Sequence, residues 1–428
     1  MQDGAGDRGL TVAKAVQLLD TGQLALGARD VVVVDEASMV GTHELRRLLD
    51  ATTAARAKTV LVGDPYQLAP VKARGGMFEQ LCDELPWAQR LSHVWRMRGP
   101  EERDASLALR NGHGNRLRKA VGWYRTRGRL HTGDQVAMAA DALEAYLADR
   151  AAGKDALLVC DSWEMADALN RRLHDTLTAG GPTAQAARGQ DIGVGDLIIS
   201  RHNNARIRVD AAPGSDREAD QARNGNRWRV AGVDEKTNRI AAERLTDKAR
   251  VVFDSDYLRE HVHLGYAVTV HSARGVTADT SHAVVAESAS RAMAYVGMSR
   301  GRDTNHAYIY THFSGEADHE HTPVAGADVH MFRRGTKYAA AQYFRMILAN
   351  DERPRTMHAE AERTDRELLP EIVGRLLARH GARRAARRQN WRAQIAAQRA
   401  FDARYQRLAA DIGRAADRDM DRGYGLEL

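Results

Sequence analysis

The sequence predicts an α/β protein built on parallel sheets, with a strand-rich insertion and a basic helical C-terminal stretch. Three observations carry that reading. The run Val31-Val32-Val33-Val34 ends in Asp35-Glu36, and a second strand-like run ends in Leu61-Val62-Gly63-Asp64-Pro65-Tyr66-Gln67-Leu68. Four consecutive β-branched residues fit a central strand covered on both faces better than a helix of the same composition. Farther on, the apolar run Ala156-Leu157-Leu158-Val159-Cys160 leads into an amphipathic helix from Trp163 to Leu173, the strand-then-helix order of a parallel sheet.

Taken in order, a polar start gives way to a short helix from Thr11 to Asp20, with Thr11 as its cap. The first strand follows and delivers its two acids at the carboxyl end, where parallel sheets build nucleotide sites. There Asp35 is expected to hold a magnesium ion and Glu36 to orient or deprotonate an attacking water. The alternative is a surface turn after a core strand. A helix around His43 to Leu49, the second strand and the Gly-Asp segment bring the first domain to residue 98. Residues 99–154 read as mostly helical, with breaks at Gly112 and Gly114. A second parallel-sheet domain is expected over 155–192 and 261–312. Between its halves, 193–260 is strand-rich: Asp196 to Ser200, a hairpin signal at Asn224-Gly225, then Trp228-Arg229-Val230. Arg201, Asn203, Asn204, Arg206, Arg208, Arg227, Trp228 and Arg229 mix cations, amides and one aromatic, the ingredients of a groove for a sugar-phosphate backbone. They also suit the plain polar surface of a small barrel.

The last region, 313–428, is read as a loop and an Arg-rich helical tail. His319, His321 and His330 lie near acids at a spacing that matches no standard zinc pattern, and a flexible loop is expected there. Between Arg375 and Arg407 there are ten arginines and one acid, Asp402, and Arg384, Arg388 and Arg392 share one helical face. That tail is either solvated or a contact for nucleic acid. Overall, 428 residues with 43% hydrophobic content and no apolar run near 18 residues exclude a membrane-spanning helix. Two distant cysteines, Cys82 and Cys160, make a disulfide framework unexpected and point to the cytoplasm. A net charge of +6 and a pI near 9.3 favour a polyanionic partner.

Taken together, the motifs resemble the RecD-like branch of superfamily 1 DNA helicases, and within it the helicase portion of TraA/TrwC-type (MobF) conjugative relaxases. The resemblance runs from about Gly9 to Thr311. It implies two RecA-like motor domains, the first N-terminally truncated, with an SH3-like β-barrel inserted in the second. Asp35-Glu36-Ala37-Ser38 matches the Walker B motif, which assigns magnesium to Asp35 and the catalytic base to Glu36. Gly63-Asp64-Pro65-Tyr66-Gln67-Leu68-Ala69-Pro70-Val71 matches the next motif, placing Asp64 and Gln67 near the nucleotide, with Gln67 sensing the γ-phosphate. In Val94-Trp95-Arg96-Met97, Arg96 stands where the family has an arginine on that phosphate. Tyr266-Ala267-Val268-Thr269-Val270-His271-Ser272-Ala273-Arg274-Gly275 resembles the DNA-tracking motif, and Tyr295-Val296-Gly297-Met298-Ser299-Arg300-Gly301-Arg302 the last motif, with Arg300 as arginine finger. In the family the two arginines come from different domains, so hydrolysis depends on closure. Guanidinium groups keep their charge and bind phosphate oxygens bidentately, which suits that role. The implied DNA contacts are Thr269, His271, Ser272 and Arg274, joined by Arg201, Asn203 and Trp228 of the barrel; His271 could instead be a core histidine.

The implied cofactors are ATP and Mg2+, and the implied partners are single-stranded DNA and relaxosome or conjugation proteins. Two departures qualify the resemblance. No Gly-Lys-Ser/Thr loop occurs in the chain; losing about four charge-assisted hydrogen bonds removes on the order of 6–12 kcal/mol, against roughly 8 kcal/mol for micromolar affinity. The chain is therefore expected to be the later part of a longer motor, or one whose true start lies upstream, and to bind ATP poorly alone. Arg274 stands where the family usually has glutamine. The function expected is an ATP-dependent helicase or translocase of conjugative transfer, with a non-catalytic single-stranded-DNA-binding remnant as the alternative. No tyrosine with a three-histidine cluster is recognisable, so nicking is not expected.

Overall fold

The computed structural model describes residues 9–70, 73–91, 94–178, 180–212, 214, 219–273, 275–311 and 333–423. The chain forms two compact units, one of Met1–Pro65, Ala69–Ser92 and Arg353–Leu428, the other of Tyr66–Leu68 and His93–Glu352. In the first, β1 (Val31–Val34) pairs in parallel with β2 (Lys58–Leu61), Val31 opposite Lys58 and Val34 opposite Leu61. Helices α1 (Val12–Asp20), α2 (Thr42–Ala54) and α3 (Met77–Glu84) accompany them. Thr11 caps α1, its hydroxyl accepting the Lys14 N–H at 3.2 Å. Side chains alternate along a strand, so Val34 joins Val16, Ala37, Leu48 and Phe78 in a core. Val31 and Val33 point the other way and are 56% and 47% exposed. The expected strand covered on both faces is corrected accordingly: among the described residues β1 has one partner strand and one covered face.

The second unit opens with α4 (Pro100–Asn111) and α5 (Gly114–Thr126), then β3 (Leu130–Gly133) and α6 (Gln135–Ala151). Residues 99–154 thus hold a strand as well as helices; Leu130-His131-Thr132-Gly133 is too short and too mixed to show a period of two. β4 (Ala156–Cys160) and α7 (Trp163–Leu177) follow, then a two-stranded antiparallel pair, β5 (Thr183–Gln185) and β6 (Asp191–Gly193). Next come β7 (Leu197–Ser200), β8 (Asn204–Asp210), β9 (Asp220–Ala222), β10 (Arg227–Asp234), β11 (Arg239–Arg244) and β12 (Arg250–Phe253). After α8 (Ser255–His261), β13 (Val262–Leu264) closes an antiparallel sheet of order β13-β7-β10-β11-β12-β8-β9. The insertion therefore reaches Leu264, four residues beyond the expected 260. Gly225 takes a positive φ of 89° in its turn, but β9 pairs with β8 and β10 with β7 and β11, so Asn224-Gly225 does not join a hairpin.

The parallel sheet resumes with β14 (Ala267–Thr269), β15 (Ala278–Ala286), α9 (Arg291–Gly297), β16 (Gly301–Tyr310) and α10 (Lys337–Ala349). Its order is β14-β4-β15-β16-β3, every pairing parallel. This is a five-stranded parallel sheet carrying an inserted antiparallel half-barrel. One core joins Leu158 and Tyr308 of the sheet to Trp228, Ile198 and Phe253 of the insertion. Another packs Leu109, Tyr124 and Phe344 under Val285 and Ile309.

Two C-terminal helices, α11 (Met357–Arg363) and α12 (Glu371–Gly423), return to the first unit. This helical tail touches the α3 region at a few points: Arg353, ahead of α11, pairs with Glu79 at 2.7 Å, and Trp391 of α12 meets Trp87, just past α3, edge-on at 5.7 Å. Arg388, on the basic face, donates to the Asp83 carbonyl. Cys82 and Cys160 are free thiols. No described helix is long and apolar enough to cross a membrane.

Candidate functional site

In the first unit the acids sit where β1 ends. Asp35 is exposed, and its Oδ1 accepts the N–H of Glu36 at 2.9 Å. Glu36 has φ 50°, a left-handed conformation that costs a non-glycine residue on the order of 1 kcal/mol. The turn is fixed from both sides: Ala37 N–H donates to the Val62 carbonyl and Val62 N–H to the Val34 carbonyl, each at 2.8 Å. Gly63 is needed for space, since a Cβ there would lie 3.0 Å from the Ala37 nitrogen and 3.2 Å from Phe78. Asp64 follows, partly buried. Open carboxylate oxygens at a strand tip fit Mg2+, a hard ion that takes oxygen ligands and keeps several waters.

The second unit holds Gln67, Arg96 and Arg300. Gln67 is anchored by its neighbours: Leu68 packs with Leu157, Val159 and Val268, and Tyr66 lies under the Arg110 guanidinium at 5.0 Å. Arg96 donates through Nε to Thr277 Oγ1 at 3.0 Å and through Nη1 to the Ser299 carbonyl at 2.8 Å. Arg300 is 2% exposed and donates to the Val296 carbonyl and Ser299 Oγ, both at 3.0 Å. The two arginines expected from different domains thus share one unit and meet around Ser299. The carbonyls ending α9 carry partial negative charge that draws a guanidinium inward.

Thr269 ends β14, and its hydroxyl lies 2.9 Å from Ser272 Oγ. Arg201, at the end of β7, donates to that same Ser272 Oγ at 2.8 Å. Arg201 and Arg188 also lie over the Trp163 ring, at 4.9 and 4.8 Å. His263 is consequently held neutral, its pKa pushed down to about 4 by burial first and then by Arg201 and Arg188. His271 is exposed. Asn203 is exposed too, but its Oδ1 accepts the Asn224 N–H at 2.8 Å and fastens the barrel turn. Trp228 is corrected: it is fully buried, its Nε1 donating to Ser200 Oγ at 3.2 Å and its ring edge-on to Phe253. An inward position on a half-barrel strand leaves no ring face for a base. Arg274, His319, His321 and His330 lie outside the described residues.

A cleft of about 760 Å³ opens between the parallel sheet and the insertion, lined by Arg150, Lys154, Arg227, Arg229 and Arg244 with Asp155 as the one acid. Burial pulls the pKa of Arg227 down, with Asp155 opposing. Arg227 and Arg229 were legible as cations of the insertion. Arg150 and Lys154, four residues apart around the end of α6, lie far along the chain from Arg244 with no motif linking them to it, so nothing in the spacing announces the cleft.

Residues 1–135 match the AAA domain family, and residues 184–263 match the Rv2311 SH3-like barrel domain. The uncharacterized protein Rv2311 of Mycobacterium tuberculosis is 52% identical over 97 residues, 23% of this chain and 56% of that protein. A probable conjugal transfer protein TraA of Sinorhizobium fredii is 30% identical over 291 residues, 66% of this chain and 24% of the relative. The chain therefore spans just over half of the former and about a quarter of the latter. A crystal structure of Pif1 helicase from Candida albicans aligns with TM-score 0.45 and 16% identity, over 70% of this chain and 77% of that one.

Proposed function

We propose that this chain, 30% identical over 291 residues to a probable conjugal transfer protein TraA and matching the AAA domain family over residues 1–135, is the motor portion of a conjugative DNA-transfer helicase, coupling ATP hydrolysis to movement on single-stranded DNA. The observation that carries the reading is one short segment, 269–277, held at both ends by groups of different chemistry. At one end Thr269, Ser272 and Arg201 form a hydroxyl and cation cluster suited to a sugar-phosphate backbone. At the other, Thr277 receives Arg96, which is shared with the Ser299 carbonyl beside Arg300. A segment held this way would pass a change at phosphate-sensing arginines to DNA contacts a few residues away.

Asp35 would hold the magnesium of bound ATP, which supplies the phosphoryl group and neutralises its charge. Glu36 would orient the water and take its proton, and Gln67 would report the γ-phosphate. Arg96 and Arg300 would meet the charge that develops on that phosphate, with Arg300 exchanging its Val296 and Ser299 partners for it. The phosphate cradle is proposed to come from outside these residues, which contain no Gly-Lys-Ser/Thr. The bare Val31 and Val33 face supports that reading, because a parallel sheet is ordinarily covered on both sides. The proposed setting is the cytoplasm, with single-stranded DNA and other conjugation proteins as partners.

A second reading, a single-stranded-DNA-binding module without ATP turnover, is favoured by the burial of Arg300. The deciding experiment is ATP hydrolysis by the purified chain with and without single-stranded DNA, beside Glu36→Gln. DNA-stimulated turnover that vanishes in Glu36→Gln supports the motor. DNA binding without turnover, at an affinity indifferent to nucleotide, supports the second reading.

A further inference from the structure

Within the first unit, and apart from every group assigned above, three metal-ligating side chains from three helices converge. Glu84 ends α3, His358 lies in the first turn of α11, and His380 lies in α12. One ligand atom from each falls within 4.8 Å of the others. We propose that Glu84, His358 and His380 bind one divalent transition-metal ion of the zinc class, which clamps α11 and α12 to α3.

The donor set is the first argument. Two imidazoles and a carboxylate suit borderline-soft ions such as Zn2+ better than Mg2+ or Ca2+, which take oxygen ligands. Spacing is the second. Ligands at about 2.0–2.1 Å from a tetrahedral ion stand roughly 3.3–3.4 Å apart. Here Glu84 Oε1 is 3.6 Å from His358 Nε2, and Glu84 Oε2 is 3.0 Å from His380 Nε2. Glu362 Oε1, one turn beyond His358, is 3.4 Å from the same Nε2 and can take the fourth position.

Support around the ligands is the third argument. Glu84 is 7% exposed, and a buried carboxylate is stabilised by a cation. Gln80 Nε2 donates to Glu84 Oε1 at 2.7 Å, and Thr356 Oγ1 donates to Gln80 Oε1 at 2.6 Å. The Thr356 hydroxyl also accepts the Ala359 N–H at 3.1 Å, capping α11 and fixing where His358 points. Outer partners that orient the ligands in this way are what a metal centre requires. The two imidazoles already stand against each other, with His358 Nε2 2.8 Å from His380 Nδ1, while His380 Nε2 faces Glu84. The pre-placed nitrogens leave little ordering cost for a metal.

The test is Zn2+ binding to the full chain in competition with a chromophoric chelator, in wild type, His358→Gln, His380→Gln and Gln80→Ala. One tight equivalent is expected in wild type. Either histidine variant should weaken it about 100-fold or more, and Gln80→Ala about 10-fold. Because the chain has 17 histidines, a second readout on wild type locates the ion: diethylpyrocarbonate labelling with and without Zn2+, mapped by mass spectrometry. Protection confined to His358 and His380 is expected, and it needs no variant to fold. No tight equivalent, unchanged affinity in both folded histidine variants, or protection at other histidines alone would overturn the proposal.

Discussion

Gly63 is constrained by space, not by its backbone angles. Its missing side chain lets the end of β2 approach the Asp35-Glu36 turn, with Ala37 and Phe78 already in contact range. Gly63→Ala should therefore cost about 1–3 kcal/mol, read as a lower urea midpoint, and should displace the acids along with the turn. An unchanged midpoint would mean that the turn yields without strain. Arg201 and Trp228 make a contrasting pair, since both come from the insertion and were read from the sequence as DNA contacts. Arg201 reaches the Ser272 hydroxyl, whereas Trp228 fills the core. Arg201→Ala is expected to weaken single-stranded DNA binding and to flatten its salt dependence by about one unit of slope. Trp228→Phe should lower stability and leave the affinity of the folded protein unchanged, with fluorescence anisotropy as the measurement for both. Equal losses of affinity would restore Trp228 to the DNA path.

At the scale of elements, the parallel strands β3, β15 and β16 stack His131, His306 and His282 with Tyr308 on one face. Desolvation leads the causes that push the pKa of His306 down to about 3, followed by the electrostatic influence of His282, Arg129 and His131, with Asp149 opposing. His131 and His282 are lowered in the same direction, again by burial first. An unfolded histidine titrates near 6.5, so between that pH and about 3 the unfolded chain binds a proton that the folded sheet refuses. Stability from this face is thus present above pH 6.5 and is lost as pH falls. His306 alone should account for on the order of 2 kcal/mol by pH 5. His306→Asn should flatten that acid limb in denaturant titrations at pH 7 and pH 5; an equally steep limb would place the sensitivity elsewhere. Nothing in the sequence marked these histidines as a group, because 131, 282 and 306 become neighbours only through parallel pairing.

For the whole molecule, charge and topology set different things. A net charge of +6 and the cationic cleft of the second unit predict that single-stranded DNA affinity falls steeply with salt, with a log-log slope near −0.7 for each phosphate engaged. A slope near zero would mean that the chain does not bind through the phosphate backbone. The sequence by itself determined the strand-ending motifs, the strand-rich insertion that interrupts a parallel sheet and the basic C-terminal helix. Those features depend on local pattern: β-branched runs, a capping threonine, a glycine where two backbones meet. Only the tertiary structure decided that Arg96 and Arg300 share Ser299, that Trp228 is core while Arg201 serves Ser272, and that α12 folds back onto α3 to meet Glu84 with His380. The physical reason is separation along the chain. Contacts between residues 96 and 299, 201 and 272, or 84 and 380 depend on sheet order and helix packing, and no local period encodes either.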